Sequence, residues 1–288
     1  MCAGRLSVCA TPIGNLGDVT LRVVDTLRDA DLIAAEDTRI TRRLLARYGI
    51  ETPLEAYHAH NLERRTPALV ARMSDGVHVA LVSDAGTPGI SDPGAHLVDA
   101  CLEAGIAVEV LPGPSAIVTA LVASGLPTHA FYFGGFLPRK AGERRTRLES
   151  LASLDATLIF YESPRRTPAT LASLAEALPG RRAAMARELT KIHEEVLRGP
   201  IDSLVAGVEG RTLKGEVVLL VGPPDRGSAR AIADPAAIRE RLSVLESAGV
   251  SRSAAVRQVA GEQGVARNDV YRIAHEPDDR GGSPATSA

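Results

Sequence analysis

Three loops rich in glycine and proline hold most of the residues that could grip a ligand. They are Thr11-Pro12-Ile13-Gly14-Asn15, the long segment from Ser83 to Gly94 (SDAGTPGISDPG), and Pro112-Gly113-Pro114-Ser115-Ala116. Glycine lets backbone amides and carbonyls approach a ligand closely. Any one such loop is explained as a turn. All three, however, follow short apolar runs, and the carboxyl ends of strands are where open α/β sheets bind ligands. None of the loops reads GxGxxG or GxxxxGK[ST], which disfavours a Rossmann or P-loop phosphate cradle.

Two polar segments could carry chemistry of their own. Glu36-Asp37-Thr38-Arg39 follows another apolar run. It reads either as a capped helix start with an acidic first turn or as an acidic pair at a ligand site. Glu188-Leu189-Thr190-Lys191-Ile192-His193-Glu194-Glu195 crowds acid, cation and imidazole into one stretch. It reads either as an exposed connection or as functional. Between them lies a basic strip from Leu137 to Arg147, with Arg139, Lys140, Arg144, Arg145 and Arg147 against the single acid Glu143. Such a strip is either a solvated face or a phosphate-binding surface, which supplies affinity without reading sequence.

The elements that must position these segments alternate. Leu6 to Ala10, Leu32 to Ala35, Val77 to Val82 and Ile106 to Leu111 read as strands. Helical stretches separate them: one capped by Asp18 or Thr20 and running to Asp29, one through Arg42 to Tyr48, and one with Leu62, Leu69 and Met73 at helical spacing. This alternation implies a mostly parallel sheet with helices on both faces. The pattern pauses near Gly125-Leu126-Pro127. An aromatic strand, Phe131 to Phe136, opens a second α/β series with strands at Leu158–Tyr161, Ala183–Arg187 and Val217–Val221 and a helix from Pro168 to Leu178. The expected organisation is an α/β domain over 1–125, a second over 126–222, a linker over 223–234, a helical domain over 235–275 and a disordered tail over 276–288.

Composition narrows the class. Hydrophobic residues make up 45% of the 288 and aromatics 3%, with no tryptophan, so the core must be aliphatic. The net charge of −2 means that any nucleic-acid surface is a local patch. Cys2, Cys9 and Cys101 form no CxxC and leave an odd count, which argues against a disulfide scaffold or a zinc site and fits a reducing cytoplasm. No signal peptide and no membrane span are expected.

Taken in order, ATPIGNLGDVT, AEDTR, SDAGTPGISDPG, LPGPSA, GGFLPRK, FYESPRR, RELTKIHEE and KGEVVLLV resemble the ribosomal small-subunit cytidine 2'-O-methyltransferase branch of the tetrapyrrole-methylase family. The resemblance covers residues 6 to 222, and the terminal helices look like that branch's helix-turn-helix appendage. It implies two α/β domains with S-adenosylmethionine in the cleft between them, no metal, and a homodimer. It implies cofactor contacts at Pro12, Asp84, Ala85, Gly86, Thr87, Ser115, Ala116, Tyr161, Arg187, Gly215 and Glu216. The substrate it implies is a cytidine ribose in the decoding region of 16S rRNA, met within the small ribosomal subunit.

The resemblance leaves the catalytic base open. A ribose hydroxyl is a weak nucleophile at neutral pH, so a base or strong acceptor helps. Glu36, Asp37, His193 and Glu194 are the candidates, with the acidic pair favoured because it follows a strand directly. Arg39 and Lys191 could hold phosphates or a developing alkoxide. Two other readings stay open: a small-molecule tetrapyrrole methyltransferase, and a ligand-sensing regulator with a nucleic-acid-binding helical domain. The span 236–274 fits helix-turn-helix geometry or a simple stabilising cap.

Overall fold

The computed structural model describes residues 4–224, 235–263 and 267–275. The chain divides into two compact units, Met1–Pro224 and Asp225–Ala288. The expected tail and all but the first two residues of the expected linker lie outside the described residues.

The apolar runs of the first half form one sheet. Its strands are β1 (Arg5–Cys9), β2 (Leu32–Ala35), β3 (Leu54–Ala56), β4 (His78–Val82) and β5 (Ala107–Leu111). They lie side by side in the order β3-β2-β4-β1-β5, and every pairing is parallel. β2 and β4 are buried on both faces, which is why they read as continuous apolar runs rather than alternating ones. Each crossover contains a helix. α1 (Leu21–Asp29) is capped by Thr20, whose hydroxyl accepts the Val23 N–H at 3.2 Å. α2 (Thr38–Tyr48) ends at Gly49, whose φ of 61° closes the helix in the left-handed region. α3 (Leu62–Ser74), α4 (Gly94–Glu103) and α5 (Ala116–Ser124) follow. The sheet packs between two aliphatic layers. Val23, Val24, Leu27, Leu44 and Leu45 lie on one side, and Leu69, Met73, Leu97 and Cys101 on the other.

The second sheet is mixed where the first is parallel. Its strands β6 (Phe131–Phe136), β7 (Thr157–Glu162), β8 (Arg182–Arg187), β9 (Glu195–Pro200) and β10 (Val217–Val221) lie in the order β6-β7-β10-β8-β9. Only β6 and β7 are parallel; β10 runs antiparallel to both β7 and β8, and β8 to β9. The physical reason is the short connection from β8 to β9. Residues 188–194 are too few for a parallel crossover and make a hairpin instead. The segment read as an exposed connection or functional stretch is therefore a hairpin turn leading into an edge strand. The basic strip is likewise not a loop: α6 (Ala141–Leu151) runs through it and buries Arg144, Leu148 and Leu151. α7 (Thr167–Ala177) and α8 (Ile201–Val208) complete this layer.

In the second unit α9 (Pro235–Ser247), α10 (Arg252–Gln263) and α11 (Arg267–His275) pack around Ile238, Leu242, Val259, Val270 and Ile273. Arg241 pairs with Glu262 and Arg252 with Glu246, so part of this unit's positive charge is neutralised internally.

Candidate active site

The loops that follow β1, β4 and β5 leave the same end of the first sheet, because parallel strands present all their carboxyl ends together. The first is tied to the second by a two-way bridge: Thr11 N–H donates to the Gly86 carbonyl at 2.9 Å, and Gly86 N–H returns to Thr11 at 3.0 Å. Gly86 has a φ of 79°, which glycine adopts freely. Facing these loops are the ends of β6 and β7 and the start of β10. Antiparallel pairing sets Val217 opposite Glu162, so the N-terminal end of β10 reaches the rim where β7 finishes.

A cleft of about 440 Å³ lies between these two sets of loops. From the first sheet it is lined by Ile13, Glu36, Asp84, Ala85, Gly86 and Thr87, and by Ser115, Ala116 and Ile117 at the start of α5. From the second come Phe136, Tyr161, Glu162, Gly215, Glu216 and Val217. The size is that of a small-molecule site. Among the described residues five carboxylates line it, those of Glu36, Asp84, Asp92, Glu162 and Glu216, and no lysine, arginine or histidine does.

Glu36 stands at the end of β2. Burial raises its pKa above the ordinary carboxylate value, and the nearby charge of Asp84 adds to this; a bond from the Asp84 N–H at 3.5 Å partly offsets both. Burial raises Asp84 as well, while its Oδ1 accepts the Asp37 N–H at 2.9 Å. Asp37 itself turns out of the cleft. Its carboxylate caps α2 by accepting the Arg39 N–H at 2.8 Å and grips the Arg39 guanidinium at 2.6 Å. The Arg39 bonds hold its pKa down to about 2. Of the acidic pair, then, only Glu36 lines the cleft. Arg39 is 85% exposed and does not.

The turn between β8 and β9 docks beside the cleft. Thr190 Oγ1 accepts the Asn15 N–H at 3.1 Å, and a side chain at Gly14 would collide with Lys191 and the Leu189 carbonyl. Glu188 and Thr190 have φ values of 52° and 65°, a strained conformation for residues with side chains. Lys191 Nζ donates to Glu188 at 2.8 Å and Glu216 at 3.2 Å. Burial disfavours its charge, but these two acids outweigh burial and keep its pKa above the ordinary lysine value. His193 and Glu194 are exposed, and Glu194 closes the turn by accepting the Thr190 N–H at 2.6 Å. None of Lys191, His193 and Glu194 lines the cleft.

Among the expected cofactor residues, two stand back from the cleft. Pro12 is buried while its neighbour Ile13 faces the space. Arg187 spends its guanidinium on Glu195 at 3.1 Å and the Lys214 carbonyl at 3.2 Å. Phe136, Glu162, Ser163, Pro164 and Val218 line the cleft without having been singled out. The signal for four of them was present in GGFLPRK and FYESPRR, which end β6 and β7. Glu162 is buried and accepts Thr170 Oγ1 and the Ser163 N–H, both at 2.7 Å.

The basic strip is largely committed within the fold. Arg144 does not belong to an exposed surface: its buried guanidinium donates to Ser173 Oγ and to the Pro138 and Arg139 carbonyls. Arg145 pairs with Glu149 and Glu176, Lys140 with Glu143, and Arg147 bonds the Tyr132 hydroxyl. Among the described residues no cluster of histidine, cysteine and acid suits a metal ion, and no helix is long and apolar enough to cross a membrane.

Residues 5–205 match the family described as Tetrapyrrole (Corrin/Porphyrin) Methylases. The chain is 48% identical over 279 residues to the ribosomal RNA small subunit methyltransferase I of Mesorhizobium japonicum, with 96% of this chain and 93% of that one covered. It is 47% identical over 277 residues to the protein of the same name from a Synechocystis species, covering 95% and 98%. Among solved structures it is similar to the uroporphyrin-III-C-methyltransferase of Thermus thermophilus, at a TM-score of 0.56 and 25% identity over 76% of this chain and 94% of that one. A uroporphyrin-III C-methyltransferase structure from the same organism, complexed with S-adenosylhomocysteine, shares the fold at a TM-score of 0.54 and 19% identity, covering 75% and 97%. The chain belongs to the tetrapyrrole methylase family, in the group of the ribosomal RNA small subunit methyltransferases I.

Proposed function

We propose that this protein transfers a methyl group from S-adenosylmethionine to the 2'-hydroxyl of a cytidine ribose in the decoding region of 16S rRNA. The observation that carries the reading is the composition of the cleft. It offers acids to a cationic ligand, apolar walls from Ile13, Ile90, Ile117, Phe136 and Val218 to a flat ring, and a helix start to a carboxylate. Ser115 makes no side-chain cap on α5, so the first-turn N–H groups beside Ser115 and Ala116 are not taken by a cap and suit the cofactor carboxylate. These are the chemical parts of S-adenosylmethionine, so the residues fit the cofactor. When bound, it supplies an electrophilic methyl on a sulfonium, chemistry that asks for no metal.

The residues proposed to hold it are Asp84, Ala85, Gly86, Thr87, Ser115, Ala116, Tyr161, Gly215 and Glu216. Pro12 and Arg187 support them from behind. Glu36 is the proposed acceptor for the ribose proton, because it alone of the four candidates lines the cleft and burial keeps its carboxylate basic. Lys191 is placed as a positioning cation that holds Glu188 and Glu216 at the start of β10. For the strip, phosphate contact is kept for Arg139 and Lys140, since the exposed Lys140–Glu143 pair is weak and easily exchanged. The two α/β domains are taken as 1–125 and 126–222.

The protein is proposed to be cytoplasmic, where its substrate is, and to act as a homodimer. β5 is an edge strand with Val110 exposed, and Val118 and Val122 stand exposed one turn apart on α5. Light scattering tests the dimer. Labelled cofactor incubated separately with small ribosomal subunits, naked 16S rRNA and a porphyrinogen tests the activity. Label should enter RNA, and the modified position should resist alkaline cleavage, which needs a free 2'-hydroxyl. Label entering the porphyrinogen alone would overturn the reading.

A further inference from the structure

We propose that the outer face of α2 is a binding surface for the phosphate backbone of the RNA substrate; this rests on the reading of the protein as an rRNA methyltransferase. Arg39, Arg42, Arg43 and Arg47 fall at i, i+3, i+4 and i+8, and all four are exposed, while Thr41, Leu44 and Leu45 point into the core. α2 contains no acidic residue. Among the described residues Arg42, Arg43 and Arg47 make no side-chain hydrogen bond and no ion pair. Arg39 is held only by Asp37.

This separates α2 from the strip on α6. There, each cation but Arg139 already has an acid, a hydroxyl or backbone carbonyls for a partner. An arginine that has given its donors to a neighbouring acid must break that pair before it can take a phosphate. The arginines at 42, 43 and 47 pay no such penalty. Their planar forked donors match phosphate oxygens two at a time.

Position strengthens the case. The residue before the α2 cap is Glu36, which lines the cleft, and the Asp37 N–H is fixed to Asp84, another lining residue. The arginine row therefore starts at the cleft rim with Arg39 and leads away from it. Eight residues of helix span about 12 Å, enough to meet two or three successive phosphates. The cleft itself carries five carboxylates, which repel phosphate. A polyanion whose ribose must enter that cleft needs cations just outside it, and α2 supplies them where the first strand-end acid stands.

The test compares salt dependence. Small ribosomal subunits are the probe, bound at a series of salt concentrations by the parent, by Arg42→Gln/Arg43→Gln/Arg47→Gln, and by Arg64→Gln/Arg182→Gln, which removes two exposed arginines elsewhere. Each lost phosphate contact lowers the slope of log affinity against log salt by about 0.7–0.9. The triple variant should lose a slope of about 2.1–2.7, with cofactor affinity by calorimetry unchanged. The control pair should keep the parent slope. If the triple variant kept it too, the proposal would be overturned. Should the triple variant lose cofactor affinity, Arg43→Gln/Arg47→Gln, farther from the rim, takes its place; it should lose a slope of about 1.4–1.8, and an unchanged slope there counts equally against the surface. A parent that transfers no methyl to RNA in any form is a separate outcome, and it would fail the functional reading itself.

Discussion

Glu162 offers the sharpest test of how the cleft is built. Its carboxylate is buried at the end of β7, accepts from Thr170 Oγ1 and the Ser163 N–H, both at 2.7 Å, and is ion-paired with Arg166 at 3.3 Å. The same Arg166 donates to the Leu137 and Pro138 carbonyls at 2.8 and 3.2 Å, and so fixes the segment that follows Phe136. Glu162→Ala removes the acceptor and leaves a hydroxyl and an amide without a partner. Breaking a buried ion pair from one side costs about 3–5 kcal/mol. The Arg166 side chain is 27% exposed and keeps two carbonyls, so the low end applies, about 3 kcal/mol. Glu162→Gln keeps one acceptor oxygen and should cost about 1–2 kcal/mol. Thermal unfolding reads the difference. A domain of this size shifts by roughly 2–4 °C per kcal/mol, so the alanine variant should melt about 6–12 °C lower. A double-mutant cycle with Arg166→Met should show positive coupling. An alanine variant within about 0.5 kcal/mol of the parent would refute the reasoning, because a buried carboxylate with two donors and an ion pair cannot be removed so cheaply unless it is not where its bonds put it.

Glu36→Gln should lower single-turnover methyl transfer by about 10²–10⁴-fold with both affinities kept. In the parent the rate should rise with pH through a value above the ordinary carboxylate pKa, because burial and Asp84 raise Glu36; a glutamine variant with a normal rate removes Glu36 from the chemistry. Gly215→Ala should destabilise by roughly 1–3 kcal/mol in urea unfolding, since its Cβ would overlap the Glu188 carboxylate and its φ is 85°; an unshifted midpoint would show that Glu188 can move aside. His78 is buried, with Ser7 Oγ 2.8 Å from Nε2, and burial followed by the Arg5 charge lowers its pKa below the ordinary 6.5. The unfolded chain then takes up the proton first, so the stability His78 contributes is whole above 6.5 and lost as pH falls towards the folded value. His78→Gln should unfold with a shallower loss of midpoint between pH 7 and 5, and an unchanged acid limb would mean that the imidazole protonates in place.

Four of the first sheet's five strands were legible because what marks them is local, while β3, three half-buried residues, carries no such mark. β1, β2, β4 and β5 are apolar runs separated by helices, and a strand–helix–strand unit leaves parallel pairing as the natural result. Parallel pairing in turn collects the loops after β1, β2, β4 and β5 at one end, so Glu36, Asp84, Gly86 and Ser115 converge without further information. The second sheet has no such rule. β9 reads Glu-Val-Leu-Arg-Gly-Pro and is only half-buried, so neither an apolar run nor a clean alternation marks it. The strand direction of β10 depends on which neighbour it joins, and nothing within Val217–Val221 records that. Tyr161, Gly215 and Glu216 were therefore reached through family resemblance rather than through pattern. α6 was obscured for another reason: its core face is Arg144, Leu148 and Leu151, and an arginine at the first of those positions looks like charge rather than packing.

Charge is sorted across this molecule in a way that net charge conceals. The whole chain carries −2, yet its cleft is lined by five acids and no base, while α2 beside it carries four arginines and no acid. Asp92 and Glu162 are occupied within the fold: Asp92 accepts the Gly89 and Gly94 N–H groups, and Glu162 holds Arg166. Glu36 and Asp84 each have a pKa raised by burial and by neighbouring carboxylates. On the proposed reading this favours the sulfonium reactant over its uncharged thioether product, because a cation relieves the mutual repulsion of these carboxylates and a neutral molecule does not. The same field excludes phosphate. A nucleotide could then present its ribose to the cleft only with its phosphates drawn outward to the arginines, which orients the sugar before any bond is made. Binding the small cation and binding the polyanion thus place opposite demands on one rim, and the boundary between Glu36 and Arg39 is where the chain meets both.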